Sequence, residues 1–134
     1  MEPIIVFLGE FTGENLTWNE LGRNVGWGVQ KAKTVDGLEA LKDRFDVIAV
    51  FVDCSSDICL SHHLRAVRTH LPGAKIVVCY PLCTPVLADE LIAAGAFHSV
   101  PKPLNHGEVK QSIGFAWESW TRARRVKTLR ASAA

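Results

Sequence analysis

The stretch of sequence that decides the fold runs from Leu91 to Pro103 and reads LIAAGAFHSVPKP. A helix end, a small-residue turn, a short strand and a Lys-Pro step follow one another in it. Gly95 can adopt a positive φ after a helix at no steric cost. Because the residue before a proline is pushed out of the helical region, Lys102 is expected at a strand end. A lysine at the carboxyl edge of a sheet could neutralise an anionic group there.

Strands alternate with helices along the whole chain. The predicted strands are Pro3–Leu8, Val29–Ala32, Val47–Val52, Lys75–Cys79 and Ala96–Val100. The predicted helices begin near Thr17, centre on Leu38, span Leu60–Leu71, span Pro85–Ala94, and run from about Asn105 to at least Trp120. This alternation implies right-handed βαβ crossovers and a parallel sheet covered on both faces. We therefore predict a doubly wound α/β domain of the flavodoxin-like (βα)5 type, although the residues alone leave the strand order open.

Length and composition exclude several classes of protein. The 134 residues fit one compact domain, and a hydrophobic content of 48% is ample for its core. A net charge of +1 gives no reason to expect a nucleic-acid partner. The first apolar run, Ile4 to Leu8, follows Glu2 and is too short for a secretory signal or a membrane span. We expect a cytoplasmic protein with no membrane partner and with reduced cysteines.

Functional side chains in this architecture lie beyond the carboxyl ends of the strands. Gly9 and Glu10 follow the first predicted strand, and Asp53 follows the third. Tyr80 follows the fourth strand, and Lys102 follows the fifth. These five residues are therefore the candidates for a site at the crevice between the first and third strands.

The Gly-Ala turn, the short strand and the Lys102-Pro103 step resemble the C-terminal signature of two-component receiver (CheY-like) domains. The resemblance covers residues 3 to about 120 and implies the strand order 2-1-3-4-5. A working receiver has an acidic pair after strand 1, a phospho-accepting Asp after strand 3, a Ser or Thr after strand 4, and the Lys before Pro. The carboxylates hold Mg²⁺, and the metal and the lysine offset charge on the transferring phosphoryl group.

This sequence matches that pattern only in part. Lys102 matches, and Asp53 is the acid nearest to the phosphoacceptor position. Glu10 stands where the second acid of the pair would be, but Gly9 replaces the first. Tyr80 stands at the Ser or Thr position and is too large for the same short reach to a phosphoryl oxygen.

The position of Asp53 is itself open. Ungapped spacing to the later family positions would put the acceptor at Val52, and counting forward from Asp46 would put it at Phe51. Only a small gap after the third strand puts Asp53 in place. A loop-capping aspartate and a solvated Lys102 remain the ordinary alternatives.

Two interpretations of the resemblance compete. In the first, the chain is a pseudo-receiver that keeps the fold and has lost phosphorylation. In the second, Asp53 is a phosphoacceptor, with Glu10 and Asp53 as a weak Mg²⁺ site and Lys102 beside them. The first is favoured because three of the family's features are altered together. It implies a regulatory protein rather than an enzyme, with no catalytic residue and no cofactor other than Mg²⁺ if the Asp53 site is active.

Apolar residues recur at helical spacing in the last helix. Val109, Ile113 and Ala116 suffice to dock it on the sheet. Trp117 and Trp120 add apolar area beyond what this docking needs. Receivers commonly dimerise through the face formed by their fourth helix, fifth strand and fifth helix. We therefore predict a homodimer or partner-docking surface that includes Ile113, Trp117 and Trp120. The alternative is that one tryptophan simply completes the core.

A basic segment follows Trp120 and contains no acidic residue. Its cations are Arg122, Arg124, Arg125, Lys127 and Arg130. Because no aromatic residues are interleaved, a solvated helical linker is favoured over a DNA contact. We divide the chain into a receiver-like domain, residues 1–120, and a basic helical extension or linker to an output module, residues 121–134. We expect the chain to be the front piece of a longer regulator.

A narrower resemblance rests on two segments, Leu21–Trp27 and Val52–Asp57. They are similar to the divergent receiver-like N-terminal domains of sigma-54 enhancer-binding transcription regulators, including those that control exopolysaccharide and biofilm genes. The resemblance implies that ATPase, DNA-binding and any nucleotide second-messenger functions belong to other modules.

The cysteines offer a hypothesis from another class, a metal or redox sensor. Cys54, Cys59, Cys79 and Cys83 follow two strands that should be neighbours, and His62 and His63 lie close in sequence. The spacings C-x4-C and C-x3-C differ from the C-x2-C of a zinc knuckle, and Cys79 fits a buried strand. No nucleophile-elbow motif surrounds any Ser or Cys.

Overall fold

The computed structural model describes residues 2–9, 11, 28–53, 57–81, 95–102 and 104–133. The elements in these ranges are β1 Glu2–Leu8, β2 Gly28–Ala32, α1 Asp36–Lys42, β3 Phe45–Asp53, α2 Asp57–His70, β4 Lys75–Pro81, β5 His98–Lys102 and α3 His106–Ala133. The strands form one parallel sheet in the order β2-β1-β3-β4-β5. This confirms the flavodoxin-like prediction. The predicted helices near Thr17 and at Pro85–Ala94 lie outside the described ranges.

Three strands end later than the hydrophobic pattern predicted. Asp53 pairs with Cys79 in the β3–β4 ladder, and Pro81 pairs with Lys102 in the β4–β5 ladder. Backbone hydrogen bonding continues past the last apolar side chain, so a hydrophobic run underestimates the strand. Asp53, Tyr80 and Lys102 therefore lie within the strand ends rather than in the loops that follow them.

Side chains alternate across the sheet and build two buried cores, one on each face. The first core contains Ile4, Val6, Leu8, Leu38, Val50, Val52, Leu64, Val67, Ile76 and Val78, among others. The second contains Ile5, Phe7, Phe51, Val77, Cys79, Val100, Val109, Ile113 and Ala116, among others. Because both faces are covered, β1 and β3 carry continuous apolar runs.

The turn before β5 has the backbone that its glycine predicted. Gly95 has a φ of +106°, which confirms the positive φ expected there. A Cβ at this position would overlap the guanidinium of Arg68 on α2. The N–H of Phe97 then donates to the carbonyl of Ile76 at 2.7 Å. The turn thus delivers the chain to the edge of β4, where β5 begins at His98 rather than at Ala96.

Helix α3 begins at a side-chain cap and is longer than its docked part. The Oδ1 atom of Asn105 accepts hydrogen bonds from the N–H groups of Gly107 at 2.8 Å and Glu108 at 3.3 Å. The helix continues without interruption through the domain boundary predicted at residues 120 and 121, and its 28 residues span about 42 Å. No helix in the described ranges has the length and apolar character needed to cross a membrane.

Candidate functional site

An ion pair joins the two strand-end residues that the sequence singled out. The Nζ atom of Lys102 donates to Oδ1 of Asp53 at 3.0 Å, and these side chains are 17% and 9% exposed. Asp53 follows Phe51, and Lys102 follows Val100, by two residues each, so both lie on the second-core face. The sheet thus brings together the predicted phosphoacceptor and the predicted lysine.

Aromatic rings form one wall of this site. The Lys102 ammonium lies 5.5 Å from the ring centroid of Phe11. Phe11 meets Phe7 edge-on at 5.2 Å, and Phe7 stacks on Phe51 at 4.8 Å. The ammonium is therefore held by a carboxylate and a π face together. The sequence interpretation missed Phe11. The signal that could have found it is its position as an aromatic residue shortly after β1.

Gly9 is required by its contact with Asp53. It has a φ of +118°, and its N–H donates to the carbonyl of Ala32 at 2.9 Å. A Cβ built on Gly9 would lie 2.7 Å from the Cβ of Asp53, closer than real Cβ atoms approach. This backbone therefore has no room for a carboxylate at position 9. The other predicted acid, Glu10, lies outside the described ranges.

Tyr80 lies in β4 with its side chain on the face opposite to Asp53. It packs against the first core, whereas its neighbour Cys79 is buried in the second. The two predicted switch positions, Tyr80 and Lys102, are therefore on different faces of the sheet. Position 80 therefore supplies no short hydroxyl side chain to the Asp53–Lys102 pair.

His63 on α2 is an additional titratable group near Asp53. Burial lowers its pKa, the neighbouring His62 lowers it further, and the charge of Asp53 raises it by a smaller amount. Its Nδ1 atom is buried and has no hydrogen-bond partner in the described part of the chain. The sequence interpretation had placed His63 only beside the cysteines, because its proximity to Asp53 depends on how α2 crosses the sheet.

Most of the cysteines in the metal or redox hypothesis either lie outside the described ranges or have no described side chain. Cys79 is fully buried in β4, as a small hydrophobe would be. Cys54 and Cys83 lie outside the described ranges, and only the backbone of Cys59 is described, within α2. The ranges that are described contain no group of three or more His, Cys, Asp or Glu side chains that could hold a metal ion.

The predicted interface residues of α3 do not share one surface. Ile113 is 0% exposed in the second core, so its assignment to an interface needs correction: it docks the helix and offers no surface. Trp117 is 38% exposed and stacks on Trp120, with ring centroids 5.3 Å apart. Trp120 also packs against the second core and lines a cavity of about 370 Å³ near the start of β3. The indole pair therefore joins the core to the surface.

Phe115, which the sequence interpretation missed, is the aromatic residue of α3 that lies next to β5. Its ring meets His98 edge-on at 6.2 Å and is 45% exposed. Residues two apart on a helix are separated by about 200° around its axis, so Phe115 and Trp117 point in different directions. The side of α3 next to β5 therefore presents Phe115, and the tryptophans belong to another side.

Solved structures of receiver domains share this fold. The signal receiver domain of a putative LuxO repressor protein from Vibrio parahaemolyticus matches with a TM-score of 0.76 at 15% identity, over 94% of this chain and 98% of that one. A CheY-like receiver domain protein from Methanospirillum hungatei matches with a TM-score of 0.71 at 16% identity, over 92% and 99%. The class of fold is therefore that of response-regulator receiver domains.

A third structure places the same fold within a longer protein. NtrX from Brucella abortus, solved in complex with ADP, matches with a TM-score of 0.74 at 23% identity over 96% of this chain. This chain spans only 29% of that protein's length. No family model and no curated protein matches the sequence. The comparisons therefore establish the fold, and the site residues must supply the argument about function.

Proposed function

We propose that this chain is a non-catalytic, receiver-like regulatory domain that is not phosphorylated. It acts by dimerisation or partner docking within a cytoplasmic signal-transduction or transcription regulator of the sigma-54 enhancer-binding kind. The observation that carries the proposal is the contact of Gly9 with Asp53, because this backbone excludes a side chain at position 9. A receiver needs an acid there to complete its Mg²⁺ site, since Mg²⁺ demands several oxygen ligands in near-octahedral geometry.

A further observation supports the loss of phosphorylation, whereas the Lys102–Asp53 ion pair at 3.0 Å is common to both interpretations. Tyr80 packs on the opposite face, so no short hydroxyl is supplied to a phosphoryl oxygen from that position. The ion pair then has a structural role, which is to hold the ends of β3 and β5 together across β4.

An attached output module is part of the proposal. In NtrX from Brucella abortus the matching region covers 29% of the chain. In that protein, a domain of this fold is therefore part of a longer chain. The long α3 leaves the domain as a continuous helix, which is a suitable connection to a further module. Dimerisation would use the side of α3 that carries Phe115 beside β5.

The test is intact-mass spectrometry after incubation with Mg²⁺ and acetyl phosphate. We expect no mass gain for the wild-type chain under conditions that fully label a standard receiver run in parallel. The Asp53→Ala variant is the matched control for the site. A wild-type gain of one phosphoryl mass that is absent in Asp53→Ala would overturn the proposal.

The same gain would establish the second candidate, a phosphoacceptor domain. The observation that favours this candidate is the placement of Asp53 at the carboxyl end of β3 with Lys102 within hydrogen-bond distance. In that case Asp53 and Glu10 would bind Mg²⁺ with water completing the shell, and Lys102 would move from the carboxylate to a phosphoryl oxygen.

A further inference from the structure

The part of α3 that extends beyond the docked segment exposes large apolar side chains. We call residues 121–133 the far half of α3. Leu129 is 68% exposed and Val126 is 43% exposed, and Trp117, just before the far half, is 38% exposed. An isolated exposed leucine needs no explanation, but large apolar groups that line one cavity mark an interaction surface.

Two of these side chains, Trp117 and Leu129, border an open cavity of about 500 Å³. Its lining residues are Trp117, Trp120, Thr121, Arg124, Arg125 and Leu129. The lining combines two indole rings and a leucine with two guanidinium groups. We call this lining the Trp-Arg surface. Its size suits one or two leucine-sized side chains of a partner, and its rim is cationic.

The charge of the far half is one-sided. Its five cations are accompanied by no acidic residue in the sequence from 121 to 134. Arg122 pairs with Glu118 at 3.0 Å, and Arg124 lies 3.7 Å from Asp46 and 4.6 Å above the ring of Trp120. Within the described part of the chain, no carboxylate forms an ion pair with Arg125, Lys127 or Arg130. These three cations remain for a partner.

We propose that the Trp-Arg surface binds an acidic amphipathic helix of a separate protein. This deepens the proposed function, on whose partner-docking role it rests, by naming the chemistry of the partner. Leucine-type side chains of the partner enter the cavity, and a flanking carboxylate meets Arg125, which lines it. Opposite charges accelerate the encounter, and the apolar contact supplies most of the affinity.

Charge complementarity selects this occupant over two others. A second copy in a two-fold dimer would set the same basic helix against itself, which places like charges together. A nucleic acid would satisfy the cations through its phosphates but would leave Leu129 and the indole-lined cavity without an apolar partner. An acidic amphipathic helix satisfies both the cations and the apolar lining.

The experiment measures binding of three fluorescein-labelled synthetic helices, each about 18 residues long, by fluorescence anisotropy. The first has a leucine stripe flanked by glutamates. The second has lysines in place of the glutamates, and the third has serines in place of the leucines. We expect the first to bind at least about tenfold more tightly than either of the others, and to weaken as salt is raised.

Variants of the chain locate the binding. Leu129→Ser and Arg125→Glu should each weaken the first peptide about fivefold or more. Phe97→Ser, an exposed apolar group in the turn before β5, and Lys33→Glu, an exposed cation just after β2, should leave it unchanged. Circular dichroism confirms that all four variants keep the helix content of the wild-type chain.

Three outcomes would overturn the proposal. Equal binding of the serine peptide would mean that charge alone acts. A double-stranded DNA fragment that binds more tightly and displaces the peptide would mark a nucleic-acid surface. Self-association in sedimentation velocity that Leu129→Ser abolishes would mark a second copy as the occupant. Phosphorylation of Asp53 in the mass experiment would overturn the proposed function while leaving the peptide result intact, so the two failures are distinguishable.

Discussion

The carboxyl edge of the sheet and the far half of α3 differ in how far their charged and apolar side chains are paired or buried within the chain. At the carboxyl edge, Asp53 and Lys102 form an ion pair mostly removed from water, and Asp53 packs against Gly9 without spare room. In the far half, cations exceed acids, and Leu129 and its neighbours stand in solvent beside an open cavity. The first region is filled by the chain's own groups, whereas the second lacks the groups that would complement it.

The region that resembles a receiver site is therefore not the region that we propose contacts a partner. The receiver resemblance directs attention to Asp53, whose carboxylate is paired with Lys102 in this structure. The far half of α3 carries no signature motif, but it exposes Leu129 beside a cavity lined by cations. Under our proposals the helix surface is the functional region and the strand ends have a structural role.

The largest expected effect would test how closely the carboxyl edge is packed. Gly9→Ala should destabilise the fold by about 2 to 4 kcal/mol, because a positive φ and overpacking against Asp53 add together. Gly73→Ala is the matched control, since nothing lies within 4 Å of its added Cβ. Its cost should stay within about 0.5 kcal/mol. Urea denaturation followed by circular dichroism measures both, and equal costs would mean that the edge has room after all.

The second largest effect is expected when the coupling energies of two ion pairs, one from each region, are compared. A double-mutant cycle with Asp53→Asn and Lys102→Met should give a coupling energy of about 2 kcal/mol, because the pair is mostly removed from water. The cycle with Glu118→Gln and Arg122→Met should give below about 0.5 kcal/mol, because those side chains are 65% and 74% exposed. The measurement is again chemical denaturation. A coupling at the carboxyl edge no larger than that on the helix would remove the contrast between the regions.

The smallest expected effect concerns pH. Because burial lowers the pKa of His63 below its usual 6.5, the unfolded chain takes up that proton before the folded chain does. The stability that neutral His63 contributes is therefore complete above about pH 6.5 and declines as the pH falls toward the folded-state pKa. The far half has no histidine or carboxylate, so no such change is expected from it.

The measurement is the difference in unfolding free energy between wild type and His63→Gln at pH 8 and pH 5.5. Wild type should lose stability relative to the variant at the lower pH. A difference that does not change with pH would show that His63 titrates as freely in the folded chain as in the unfolded one.

The predicted fold held because its signals are local. Apolar runs and the Gly95 turn fix where elements begin and end to within a few residues, since they depend on backbone conformation and solvent exposure. The candidate site was only partly predictable. Asp53 and Lys102 could be placed at the same edge of the sheet because its strands are parallel, whereas the exclusion at Gly9 and the roles of Phe11 and Phe115 could not be predicted.

The sequence by itself determined a parallel βα sheet, its two apolar faces, the lysine at the end of β5 and the excess of basic residues after Trp120. Tertiary structure alone decided that Gly9 touches Asp53, that Tyr80 faces away from it, and that Phe115 lies against β5 while Trp120 packs on the second core. The physical reason is that periodicity records which residues avoid water. Contacts between strand ends instead depend on ladder register and helix rotation, which are set by groups far apart in the chain.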